Sequence, residues 1–197
     1  MNTCVRHLVT ILLISGAPFA LANAQDRRDS GPIAVRLGAS VGSLKENCEN
    51  CSGAQISSFS RLALEGQLLK NLGSRGAIGI EGMLWKGTYL GLYRRAVVVS
   101  IVGSWRPAPT LGLTLEAGAG YMTFKETANG SSSELKSTGL GLQGGVAYAI
   151  PILKSISLTP FIRYLHSVGD KTTMDGSSTT GKISPKLFRC GLLLQWR

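Results

Sequence analysis

The sequence is short of acidic residues and of histidine: 11 Asp and Glu stand against 21 Lys and Arg, with only two His. That scarcity leaves no paired-histidine metal motif, and no glycine-rich phosphate loop is present, so no cofactor is expected. Past the first 24 residues no apolar stretch reaches the ~20 residues a membrane-crossing helix needs, which excludes a helix-spanning protein. Cysteine is sparse as well, with four in 197 residues.

The apolar run that does occur, Leu8 to Ile14, is short, follows Arg6 and His7, and is interrupted by Pro18. With Ala22-Asn23-Ala24 behind it, this is the pattern of a cleaved signal peptide over 1–24. A polar linker at 25–32 then leads into a single domain at 33–197. Cys4 precedes the apolar run and is not placed as a lipoprotein cysteine. Export makes a local disulfide the expected state of the Cys48-x-x-Cys51 pair, with free thiols or a metal or redox site as alternatives. Cys190 reads as a small apolar residue on an outward face. The formal charge is +10, of which the signal segment removes only Arg6. Such a charge suits nucleic acid or a membrane surface. For an exported chain, anionic lipid, including lipopolysaccharide phosphate, is the expected partner and nucleic acid is not.

Glycine is abundant, at 25 residues, and spread throughout, which favours closely packed strands over helices. Eight segments alternate apolar and small or polar residues with period two: from Ile33 to about 42, then 58–69, 77–86, 95–106, 111–125, 138–150, 156–167 and 186–197. In the last, Phe188, Cys190, Leu192, Leu194 and Trp196 share one face, and Leu187, Arg189, Gly191, Leu193 and Gln195 the other. The fourth is the least clean, since Val98 and Val102 fall on its polar side, and Pro160 weakens the seventh. Connections alternate long (43–55, 126–137, 169–185) and short (70–76, 107–110, 151–155), with 87–94 intermediate. This is the signature of a transmembrane barrel with short turns at one rim and loops at the other. The expected fold is therefore all-β, an eight-stranded antiparallel up-and-down transmembrane β-barrel.

A soluble eight-stranded barrel should carry a dense charged exterior. Here the non-apolar face is mostly Gly, Ala, Ser and Thr, which suits a narrow interior. The charges on it are Arg36, Arg61, Arg163 and Arg189 with Glu65, Glu81 and Glu116. Buried charges must be paired, so these are expected to form lumen ion pairs that close the interior. Aromatic girdles are expected from Trp85, Tyr121, Tyr164 and Phe188 at one rim and Trp105, Tyr148 and Trp196 at the other.

Arg189, Gly191, Leu194 and Trp196 match, in order, a terminal pattern of polar residue, glycine, hydrophobic residue and aromatic. This resembles the C-terminal assembly signal of outer-membrane barrels, although Arg197 follows the aromatic. The mature chain as a whole is similar to the small eight-stranded OmpA/OmpX-like barrels. The resemblance implies outer-membrane location, insertion by the barrel-assembly machinery, a monomeric state, and a role in envelope structure or contact through external loops. A small diffusion channel is the alternative. A lipid A-modifying enzyme is a remoter one: His166 and Ser167 are adjacent, so on a strand they face opposite ways. No enzyme activity is expected.

Overall fold

A computed structural model describes residues 33–49, 59–89, 91–108, 111–128, 130, 132–179 and 182–196. Residues 1–24 and 25–32, read from the sequence as signal peptide and linker, together with Cys51 and Arg197, lie outside the described residues. Among the described residues ten strands form: β1 (Ile33–Glu49), β2 (Phe59–Asn71), β3 (Gly76–Tyr89), β4 (Leu92–Trp105), β5 (Leu113–Ala128), β6 (Glu134–Tyr148), β7 (Ile150–Leu153), β8 (Ile156–Met174), β9 (Ser177–Ser178) and β10 (Lys182–Trp196). Eight of them are staves of a closed antiparallel barrel in the order β10-β1-β2-β3-β4-β5-β6-β8, with β8 pairing back to β10. β7 and β9 are short hairpin partners of β8.

Alternation explains the wall. Along β1, Val35, Leu37 and Val41 are exposed while Ala34, Arg36 and Ser40 are buried. The same rhythm exposes Leu62, Leu64, Ile80, Ile101, Leu140 and Leu142 on neighbouring strands. An apolar exterior this continuous, on strands long enough to cross a bilayer, is stable against hydrocarbon rather than water.

The seam between first and last strands is tight. Val35 faces Trp196 and Ser40 faces Gly191 across an unbroken ladder. A Cβ at Gly38 would lie 2.0 Å from the Leu192 carbonyl oxygen, and one at Gly191 would lie 2.4 Å from that of Ala39. Both positions need glycine because partner backbone occupies the space a side chain would take. Pro160 is accommodated in β8 because β6 pairs with that strand only from Phe161 onward, so one side of the strand has no ladder there to lose.

The structure differs from the sequence reading at the long-loop rim. Much of 43–55, 126–137 and 169–185 is paired strand: β1 runs to Glu49, Glu126 pairs with Leu135, and Lys136 pairs with Thr173. Ser and Thr, read as loop formers, are also compatible with strands once a neighbouring ladder continues past them. The 87–94 connection contracts to a two-residue hairpin between Tyr89 and Leu92. β8 turns through Asp175 and Gly176, both at positive φ (51° and 82°), as a two-residue Asp-Gly hairpin favours.

That turn is clasped to the neighbouring hairpin. The Ser133 hydroxyl and the Glu134 backbone N–H donate to the Asp175 carboxylate at 2.8 and 2.7 Å. The Asp175 N–H returns a bond to the Glu134 carbonyl. The Ser133 bond, then the Glu134 amide, hold the Asp175 carboxyl below its ordinary value. A carboxylate with a lowered folded pKa supports its contacts above the ordinary pKa and releases them only as pH falls through the lower folded value. In an NMR titration the Glu134 amide is therefore expected to shift with a midpoint below 3.8, the ordinary aspartate value. A midpoint at or above 3.8 would mean the clasp does not form.

Candidate functional site

The lumen is filled in layers. Midway through it, three arginines and three glutamates from six staves converge. Glu116 accepts from Arg36 Nη1 and Arg163 Nε, each at 2.7 Å. Arg163 Nη1 lies 2.8 Å from Glu65 and 3.1 Å from Glu81. Arg189 bridges the same two carboxylates, 3.0 Å from Glu65 and 3.2 Å from Glu81. The cluster is formally neutral, and all six residues are buried. Excellent pairing of this kind is what makes buried charge tolerable.

Amides and hydroxyls complete it. Gln195 and Gln67 accept from Arg36 at 2.9 and 3.2 Å, and Gln67 donates to Glu81 at 2.7 Å. Gln143 accepts from Arg189 at 2.8 Å and donates to the Ser100 hydroxyl at 2.9 Å. Ser40 donates to Glu65. The Arg163 guanidinium stacks over the Phe161 ring, 4.2 Å from its centroid. A void of about 10 Å³ beside Glu81, Glu116, Gln143 and Arg163 has room for about one water. The glutamines and serines were not among the charged candidates, although Ser40, Gln67 and Gln195 share strand parity with one of them; Ser100 and Gln143 lie on β4 and β6, which carry none.

Arg61 departs from the expectation. It is exposed, and its guanidinium donates to the carbonyls of Ser60 and Thr88. The β2–β3 ladder begins only at Ala63 opposite Trp85, so at Arg61 no enclosed lumen remains to receive the side chain.

Toward that same rim the lumen is apolar, which the sequence reading missed. Leu44, Met83, Trp85, Val98, Met122, Phe124, Leu165 and Leu187 form one buried cluster with Ala63 and Ala96. Trp85, expected in a girdle, is 0% exposed and points inward, its indole N–H donating to the Gly42 carbonyl at 2.9 Å. Its parity with Glu81 and Met83 is the signal that placed it. Val98 and Val102, the residues that broke alternation in β4, are inward apolar residues. Above the plug Arg94 turns inward to pair with Glu126.

The other aromatics expected in the girdles face outward. Trp105, Tyr148 and Trp196 are exposed near one rim, Tyr121 and Tyr164 nearer the other, and Phe188 pairs with Tyr164 at intermediate exposure. Of the terminal-strand pattern, Arg189 and Gly191 point inward, the first into the ion-pair cluster and the second against β1. Leu194 and Trp196 point outward, opposite Leu37 and Val35. Cys48 lies in the β1 backbone opposite Ile183, but its side chain and Cys51 lie outside the described residues. Cys190 is only 7% exposed and is not a free thiol, so it is not the exposed apolar residue expected. Ser167 is buried and donates to the Leu140 carbonyl, while His166 lies across from Lys186 on the outward face.

No protein-family model matches the chain, and no curated protein matches it. Among solved structures it is similar to Neisserial surface protein A, with a TM-score of 0.58 and 12% identity over 84% of this chain and 97% of that one. It is also similar to a major outer membrane protein from Thermus thermophilus, with a TM-score of 0.50 and 14% identity over 84% of this chain and all of that one. At such identities the likeness is one of architecture: the chain has the closed eight-stranded fold of the small outer-membrane barrels.

Proposed function

We propose that this is an outer-membrane barrel with a closed lumen, acting in envelope structure and surface contact through its external hairpins, without enzyme activity. One observation carries the reading: an apolar exterior encloses an interior stopped twice, by the neutral Arg–Glu cluster and by the apolar plug around Trp85. Water-filled channels belong to barrels of more strands, whereas eight staves leave a bore that side chains fill. The surface free to engage partners is then the rim carrying the β3–β4, β5–β6 and β8–β10 connections. Insertion through the barrel-assembly machinery, using the terminal strand as its address, and contact with lipopolysaccharide follow from this location, and the barrel acts as a monomer.

The test is a planar-bilayer recording on pure folded protein. The expected result is no steady conductance above the lipid baseline. Reproducible unitary steps would overturn the closed-lumen reading in favour of a diffusion channel.

A further inference from the structure

Outward-facing cations line up across four consecutive strands. Lys86 of β3 lies directly opposite Arg95 of β4, Arg95 opposite Lys125 of β5, and Lys125 opposite Lys136 of β6. Strand parity puts all four on the same face as Ile80, Ile101, Tyr121 and Leu140. Lys171 of β8, exposed and paired with Thr138, continues the row diagonally. Like charges directly opposite one another in a sheet repel and destabilise it. Among the described residues a single carboxylate answers them: Glu134 lies 2.9 Å from Lys125. Among the described residues no ion pair joins Lys86, Arg95 or Lys136 to a carboxylate. Of the other acids whose side chains are described, Glu65, Glu81, Glu116 and Glu126 pair inside the barrel and Asp175 lies in the clasp.

The position of the row is as telling as its charge. Lys86 and Arg95 come one outward step, about 7 Å along a strand, beyond Leu84 and Val97 of the apolar wall. Lys125 comes two such steps beyond Tyr121. The cations therefore begin where hydrocarbon gives way to headgroups. Three strand spacings make the row roughly 14 Å wide, room for more than one phosphate. A like-charged row kept at this height is stable when anions lie between its members.

We propose that the outward face of β3, β4, β5 and β6 is a binding site for a phosphorylated lipid headgroup of the outer leaflet, held by Lys86, Arg95, Lys125 and Lys136. The inference rests on the outer-membrane reading above and names the molecule that this wall holds.

The test uses the full chain folded in phosphatidylcholine nanodiscs and titrated with bis-phosphorylated lipid A. With a factor of about five for each headgroup-level cation, the K86Q/R95Q/K125Q/K136Q variant is expected to bind at least tenfold more weakly than the parent, and K86Q/R95Q to fall between. Charge removal at the opposite rim, K70Q/R75Q, is expected to leave binding unchanged, and inorganic phosphate at equal concentration is expected not to compete. Unchanged affinity in the four-site variant, an equal loss in K70Q/R75Q, or equal competition by inorganic phosphate would each overturn the site. Heat-modifiable gel migration of every sample separates the two readings. A chain that does not fold into the bilayer counts against the membrane reading itself, whereas a folded barrel with unaltered lipid affinity sinks the site alone.

Discussion

Replacing Arg163 by methionine is expected to destabilise the folded barrel by about 3–5 kcal/mol, the cost of breaking a buried ion pair from one side. Among the described residues Arg163 is the one side chain that touches all three glutamates: Glu65 at 2.8 Å, Glu81 at 3.1 Å and Glu116 at 2.7 Å. Its removal leaves Arg36 and Arg189 to balance three buried carboxylates, one negative charge in excess. Methionine fills similar space without a charge, so the loss is electrostatic rather than a loss of packing. Adding Glu116→Gln to the Arg163→Met variant restores neutrality and is expected to recover part of the loss, which a packing defect would not allow. Arg61→Met is the control, because Arg61 is exposed, lies away from the cluster and donates to the Ser60 and Thr88 carbonyls, and it should stay within about 0.5 kcal/mol of the parent. Urea titration in bilayers, followed by tryptophan fluorescence and gel migration, measures all three. An Arg163→Met loss under about 1 kcal/mol, well short of the buried-pair range, would show that the cluster does not act as a unit.

Trp85→Ala is expected to cost a similar amount, about 3–5 kcal/mol, through transfer and cavity terms. Trp85 is the largest side chain of the apolar plug, fully buried among Leu44, Met83, Phe124 and Leu187. It also satisfies the Gly42 carbonyl. Trp85→Phe keeps most of the volume and is expected to lose mainly that hydrogen bond, about 1 kcal/mol. Neither change should open a pore, because the Arg–Glu cluster closes the bore independently. A bilayer recording of Trp85→Ala therefore asks which layer seals the barrel: conductance in this variant alone would assign the seal to the plug, and silence would leave the cluster sufficient.

Most of the wall was legible because a strand shows its two faces at every second residue. The alternation of Val35, Leu37 and Val41 with Arg36 and Ser40 marks β1, and its closure against the terminal strand follows from an even number of staves. What was harder to read was inside. A narrow lumen needs filling by shape, and shape has no period. Met83, Trp85, Met122 and Phe124 all have inward parity, yet a face averaged as small and polar hides them. Of the two valines that spoiled the pattern of β4, Val98 was the visible sign of that plug, and Val102 of a second apolar layer with Ala34, Leu69 and Ala77. Arg61 was misplaced because parity says which way a residue points, not whether the partner strand still encloses it. The long connections were misjudged because Ser, Thr and Lys read the same in a loop and in a strand that continues above a membrane.

The Asp175 clasp makes two surface hairpins behave as one. The β5–β6 connection and the β8–β9 turn share three hydrogen bonds at Ser133, Glu134 and Asp175, so neither tip is presented alone. An antibody raised against the native surface should then see residues from both segments as one epitope, and lose it on substitution in either. Diversification of such a surface is constrained in turn: a change of length between 129 and 133 displaces the opposite tip unless the hairpin at 174–177 changes with it. The β3–β4 hairpin is held from its other side, where the Arg61 guanidinium of β2 donates to the Thr88 carbonyl, so its variation is coupled to β2 instead.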